Sequence, residues 1–120
     1  MSTRIDLLTP DFKWFDKPVA TLYLRPPTAS HLARFGELEI AVRLADGGSY
    51  SINQEQAIGQ YIGALLSLDG ENPVDGGGAA LYSQLSLEDG LQVRAALFGF
   101  FTKAYERILE RGRLKITSDS

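Results

Sequence analysis

Hydrophobic and polar positions are least balanced in the last third of this chain. Set on a helix at about 100° per residue, Leu91 to Arg111 gathers Gln92, Gly99, Lys103, Glu106, Arg107 and Glu110 on one side. Apolar residues spread over the rest, interrupted only by Arg94 and Thr102. The apolar arc is roughly 200° wide, about twice the stripe with which a surface helix meets its core. Leu91, Ala95, Phe98, Tyr105 and Leu109 form one half of it and match a core stripe. The other half is then expected to face a partner. It comprises Val93, Leu97, Phe100, Phe101 and Ala104. Ser86 caps this helix, Glu88 and Asp89 sit at its positive dipole end, and Gly112 is the expected stop. The longest helix is thus expected between about Leu87 and Arg111.

Other elements follow from the same patterning. Val19 to Arg25 reads as a strand, with Leu22 and Leu24 on one face and Val19, Thr21 and Tyr23 on the other. Pro26-Pro27 stops it, and Thr28 or Ser30 caps a following helix through Leu32, Phe35, Leu38, Val42 and Ala45. Residues 37–44 carry a competing signal. Leu38, Ile40, Val42 and Leu44 alternate with Glu39, Ala41 and Arg43, which would make a strand. The good helix formers Ala, Leu, Glu and Arg favour helix, and Asp46-Gly47-Gly48 ends the element either way. Asn53 with Gln56 makes a capping-box pattern for a helix running to about Leu68. Its stripe is Ile58, Tyr61, Ile62, Leu65 and Leu66. Gly59 and Gly63, four apart, would permit a close helix contact. Asp69 to Gly78 is loop by composition, and Ala79 to Leu85 a short helical turn. The aromatic group Phe12, Trp14 and Phe15 is expected to fold back onto the core. The expected architecture is one domain, residues 1–120, of a mostly helical α+β class. A small N-terminal strand region packs with three helices, the longest at the C-terminus, and residues 1–10 and 114–120 are loose.

Composition removes whole classes of chemistry. With no cysteine there is no disulfide, thiolate nucleophile or Cys-type zinc site. A net charge of −3 argues against nucleic acid, whose phosphates need clustered Lys and Arg. Arg107, Arg111, Arg113 and Lys115 are interleaved with Glu106 and Glu110 and suit a helix C-terminus. No apolar run approaches the ~20 residues of a membrane span, and Met1 to Asp11 lacks a signal-peptide pattern. A cytoplasmic location is the expectation.

Catalytic and metal motifs fail in detail. His31 is the sole histidine, and no Gly-x-Ser-x-Gly elbow accompanies it. Asp69, Glu71 and Asp75 imitate a calcium loop, but Val74 replaces the turn glycine and Ala80 the bidentate Glu. Gly76-Gly77-Gly78 has no following Lys-Ser or Lys-Thr to make a phosphate loop. Glu37 with Glu39 reads as a solvated face. No enzyme, cofactor or metal is expected.

Two segments carry a resemblance. The strand ending Leu22-Tyr23-Leu24-Arg25 turns through Pro26-Pro27-Thr28 into a helix, and Leu85-Ser86-Leu87-Glu88-Asp89 leads to a helix carrying Phe100-Phe101. Together, over roughly residues 18 to 102, they resemble the tail assembly chaperones of long-tailed bacteriophages and prophages. The family pattern often has an acid just after the Pro-Thr turn, where this chain has Ser30 and His31. The resemblance implies a non-enzymatic protein of the host cytoplasm, absent from the mature virion. It implies binding to the apolar tape-measure protein, assistance to the tail tube protein gathering around it, and self-association into a homo-oligomer. A structural tail or neck component, or an interaction module unrelated to phage, are the alternatives.

Overall fold

A computed structural model describes residues 1–119, with side chains described for residues 1–112. The core sheet is antiparallel and three-stranded. It is ordered β1 (Thr3–Asp6), β4 (Thr21–Leu24), β7 (Leu66–Ser67). Ile5 lies opposite Leu22, and Leu24 opposite Leu66. Alternation along β4 buries Leu22 and Leu24 and leaves Thr21 and Tyr23 half-covered, as the pattern predicts. The expectation that residues 1–10 are loose is corrected, because burial of Ile5 against this face holds β1 in the sheet.

Between β1 and β4 the chain makes a small hairpin, β2 (Lys13–Trp14) and β3 (Lys17–Pro18). Trp14 is buried, and its indole Nε1 donates to the Asp75 carbonyl at 3.0 Å. Phe15 departs from the expected fold-back: it occupies the turn at φ 49° and is 69% exposed, edge-on to Trp14.

Helix α1 (Ala29–Phe35) is shorter than the sequence implies. Its N-cap is Thr28, whose backbone N–H donates to His31 Nδ1 at 3.0 Å. Gly36 ends it at φ 85°, a conformation costly for any side chain. From there the period-two signal wins. Strands β5 (Glu39–Arg43) and β6 (Ser49–Asn53) form a hairpin in place of the expected helix through residues 37–44. The Leu44 N–H donates to the Gly48 carbonyl at 2.7 Å, and the Asp46 carboxylate accepts from the Gly48 N–H at 2.9 Å. Asp46-Gly47-Gly48 is therefore a hairpin turn, with Gly47 at φ 94°.

Helix α2 (Glu55–Leu65) buries Ile58, Tyr61, Ile62 and Leu65, the expected stripe. Its N-cap is Gln54 rather than Asn53, which ends β6, and it stops at Leu65 so that Leu66 and Ser67 can pair with β4. The Arg25 guanidinium and backbone N–H donate to the carbonyls of Ala64 and Leu65, satisfying groups left over at the helix end. The following loop is tied to itself. Asp69 accepts from the backbone N–H groups of Glu71 and Asn72, from the Asn72 amide and from Ser67 Oγ. The Asn72 and Glu71 donors hold its carboxyl well below the usual carboxylate range.

Helix α3 (Gly78–Gln84) packs on α2 where Gly63 and Gly78 meet. A Cβ on Gly78 would stand 2.5 Å from the Gly63 carbonyl oxygen, whereas one on Gly59 would meet nothing within 4 Å. Gly78→Ala is expected to cost roughly 1–3 kcal/mol. Gly59→Ala should be neutral or mildly stabilising, because alanine favours helix. Urea midpoints of the two variants check the pair; equal midpoints would refute the close contact.

Helix α4 (Leu87–Asp119) is 33 residues long and runs on through Gly112, where the sequence led us to expect its end. The tail expected to be loose, 114–120, lies beyond the described side chains. Ser86 caps α4, its Oγ accepting from the Asp89 N–H at 3.2 Å. Asp89 does more than complement the helix dipole. It is fully buried, and its two oxygens accept from the Leu8 N–H (2.7 Å), the Thr9 N–H (3.1 Å), the Gln92 amide (2.9 Å) and Ser86 Oγ (3.1 Å). Burial pushes this carboxyl upward, but the donors from Leu8, Thr9 and Ser86 outweigh it and hold its pKa below the ordinary value.

Taken together the elements make a mixed α+β fold in which helix leads without the strands being minor. Among the described residues no helix is long and apolar enough to cross a membrane.

Candidate functional site

Helix α4 crosses the sheet and α2 on one face, and that face is not the one expected. Val93 and Leu97, assigned to a partner, are fully buried in the core with Leu22, Tyr61 and Ile62. Phe100 and Phe101 continue this line and are half-buried against the core, Phe101 edge-on to Tyr61 at 5.4 Å. Ala104 is half-buried beyond them. The residues taken for the core stripe are the outer ones: Leu91, Ala95, Tyr105 and Leu109 are exposed, and Phe98 is half-buried. The two halves of the arc are thus reversed. Both are apolar at helical spacing, so periodicity could not say which one meets the sheet.

The surplus of apolar surface is real and concentrates at two places. Tyr105, Ile108 and Leu109 are 52–64% exposed on the distal half of α4. On the hairpin, Ile40 stands opposite Ile52 and Val42 opposite Tyr50, so one face is wholly apolar. Ile40, Leu44, Tyr50 and Ile52 remain 43–50% exposed. The opposite face, with Glu39, Ala41 and Ser51, looks onto α4. Neither face is buried, and of the ten strand residues only Val42 is half-buried, so the hairpin stands off the core with its apolar face open. Alternation in residues 49–53 was the signal that could have found it.

Two grooves flank the exposed row on α4. One, of about 350 Å³, lies between α4 and the hairpin, with Phe98, Phe101 and Tyr105 facing Glu37, Glu39 and Ser51. The other, of about 340 Å³, lies between α4 and the turn into α1. There Phe100, Phe101, Ala104 and Ile108 meet Pro26, Pro27 and Leu32, with Arg107 at the rim. Three of the residues assigned to a partner surface, Phe100, Phe101 and Ala104, therefore do share one groove. Phe101 and Tyr105 line both grooves, so the apolar surface is continuous around this part of α4.

Polar groups around the site are mostly committed to structure. Arg94 pairs with Glu55 through two bonds of 2.6 and 2.7 Å, tying α4 to the start of α2, and lies 5.7 Å from the Phe98 ring centroid. The Arg94 bonds hold the Glu55 carboxyl below its ordinary pKa. His31 stacks on Phe35 and serves the α1 cap. The Tyr61 hydroxyl donates to the Gly36 carbonyl at 2.7 Å; burial, then the negative charge of Glu37, raises its pKa. What the arrangement offers is apolar contact area with a few charges at its edges, suited to another polypeptide.

No family model, curated protein or solved structure matches this chain.

Proposed function

We propose that this chain is a non-enzymatic tail assembly chaperone of a phage or prophage. In this reading it binds the apolar tape-measure protein in the host cytoplasm and helps the tail tube protein assemble around it. The observation that carries the reading is the continuous apolar surface on distal α4, running through Phe101, Tyr105 and Ile108 into both grooves. Exposed contiguous apolar surface marks a place where another chain docks. Here it is walled by the hairpin and the Pro26-Pro27 turn, so it is partly shielded when empty. A protein that holds an apolar client temporarily needs such a surface. The exposed apolar face of the hairpin, with Ile40, Tyr50 and Ile52, adds a second one, available for self-association. The resemblance of Leu22 to Thr28 and of Leu85 to Phe101 to the chaperone family supplies the identity of the client.

Co-expression with the tape-measure protein encoded nearby tests this. The client should stay soluble with this chain and precipitate without it, and mass spectrometry should find the chain in lysate but not in purified particles. Ile108→Asp should keep the circular dichroism of the wild type and lose client protection. A stoichiometric presence in particles would instead make the chain a structural tail component. A client equally soluble in its absence would refute the chaperone role.

A further inference from the structure

We infer that the groove between the hairpin and α4 receives a cationic side chain, Lys or Arg, presented by an amphipathic helix of the client. The inference rests on the client-binding reading and specifies its chemistry. The floor of the groove is aromatic: Phe98, Phe101 and Tyr105 follow one another at three- and four-residue spacing along α4. Its wall carries Glu37 and Glu39 and no lysine or arginine. Among the described residues the ion pairs are Arg4 with Asp6 and Arg94 with Glu55, so neither wall carboxylate has a cation of its own. Arg43 shares a hairpin face with Glu39 but lies beyond Ala41 and outside the groove.

Aromatic rings and carboxylates together favour a cation for two additive reasons. The ring quadrupole attracts it, and the two exposed carboxylates add an ion-pair attraction that salt screens. Arg94 beside Phe98 shows the same row of rings already accepting one guanidinium, while among the described residues no cation lies over Phe101 or Tyr105. The second groove fixes the rest of the occupant. It shares Phe101 and Tyr105, is lined by Pro26, Leu32 and Ile108, and has Arg107 at its rim. A helix lying across Tyr105 would place apolar residues there and its cation toward Glu37 and Glu39. A second copy of this chain is the competing occupant, since Arg107 and Arg111 flank Ile108.

Three labelled helical peptides test the assignment. They share one apolar face and carry Lys, Gln or Glu at its flanks, and fluorescence anisotropy reads their binding to the full chain. The Lys peptide should bind about tenfold tighter than the Gln peptide, and the Glu peptide weakest, the preference shrinking as salt is added. In a Glu37→Gln, Glu39→Gln double variant the preference should vanish while the apolar contribution and the melting temperature stay. Equal binding of all three peptides would overturn the cation site and leave the client-binding reading standing. Binding of none would overturn both. A wild-type dimer that the double variant splits, with peptide preference unchanged, would place a second copy in the groove and overturn the client assignment.

Discussion

Leu97→Ala is expected to unfold far below the wild type, while Ile108→Ala is expected to melt with it. Leu97 sits with no exposed surface among Leu22, Tyr61, Ile62 and Val93. Truncating such a side chain loses its transfer free energy and leaves a cavity, at a cost of about 2–5 kcal/mol. In a domain of this size that lowers the melting temperature by roughly 10 °C or more. Ile108 is 64% exposed, so its truncation should stay within about 0.5 kcal/mol. Thermal unfolding followed by circular dichroism reads both. Leu97 and Ile108 lie eleven residues apart, about three turns along one face of α4, so the comparison checks where the core ends along the helix. If Leu97→Ala were neutral and Ile108→Ala costly, the core would lie against distal α4 and the proposed client surface would be part of it.

Asp89→Ala is expected to be nearly as damaging, through polar rather than apolar chemistry. The carboxylate is fully buried, and its removal leaves the part-buried donors of Leu8, Thr9 and Gln92 without their acceptor. Breaking a buried charged hydrogen-bond set costs about 3 kcal/mol or more. Asp89→Asn, with one oxygen left to accept, should fall between. The pH dependence has a definite sign. The folded-state pKa lies below the ordinary carboxylate value, so the unfolded chain takes up the proton first as pH falls. The contribution is complete above about pH 4 and is lost as pH drops toward the folded value. Urea unfolding at neutral pH and near pH 3 should therefore show the gap between wild type and Asp89→Ala narrowing in acid. A gap independent of pH would mean that the charge on Asp89 is not what ties Leu8 and Thr9 to α4.

Local signals carried much of this fold. The Leu22–Leu24 alternation, the Ile58–Leu65 stripe, the short helix before Leu85 and the Ser86 cap are all set by side-chain periodicity or by bonds a few residues apart, and such features are written locally. Residues 37–44 were legible only as a contest between two periods. Helix propensity lost because Gly36 breaks α1 and because residues 49–53 offer a pairing partner that no local propensity contains. The Asn53 cap lost to the same pairing. Strand β1 was missed because Thr3–Asp6 is stable only against β4, a contact across some twenty residues of chain.

The candidate site divides in the same way. The sequence by itself determined that α4 has more apolar surface than one chain's core needs, because hydrophobicity at helical spacing is a property of the residues alone. It also showed the absence of cysteine and of a thiolate chemistry. Which half of α4 turns inward was decided only by tertiary structure, through the sheet and α2 closing on Val93 and Leu97. The exposure of the hairpin's apolar face, the convergence of Glu37 and Glu39 on Phe101 and Tyr105, and the burial of Asp89 under Leu8 and Thr9 were decided there too. Each depends on groups distant in sequence becoming neighbours, and such a meeting has no periodicity to read.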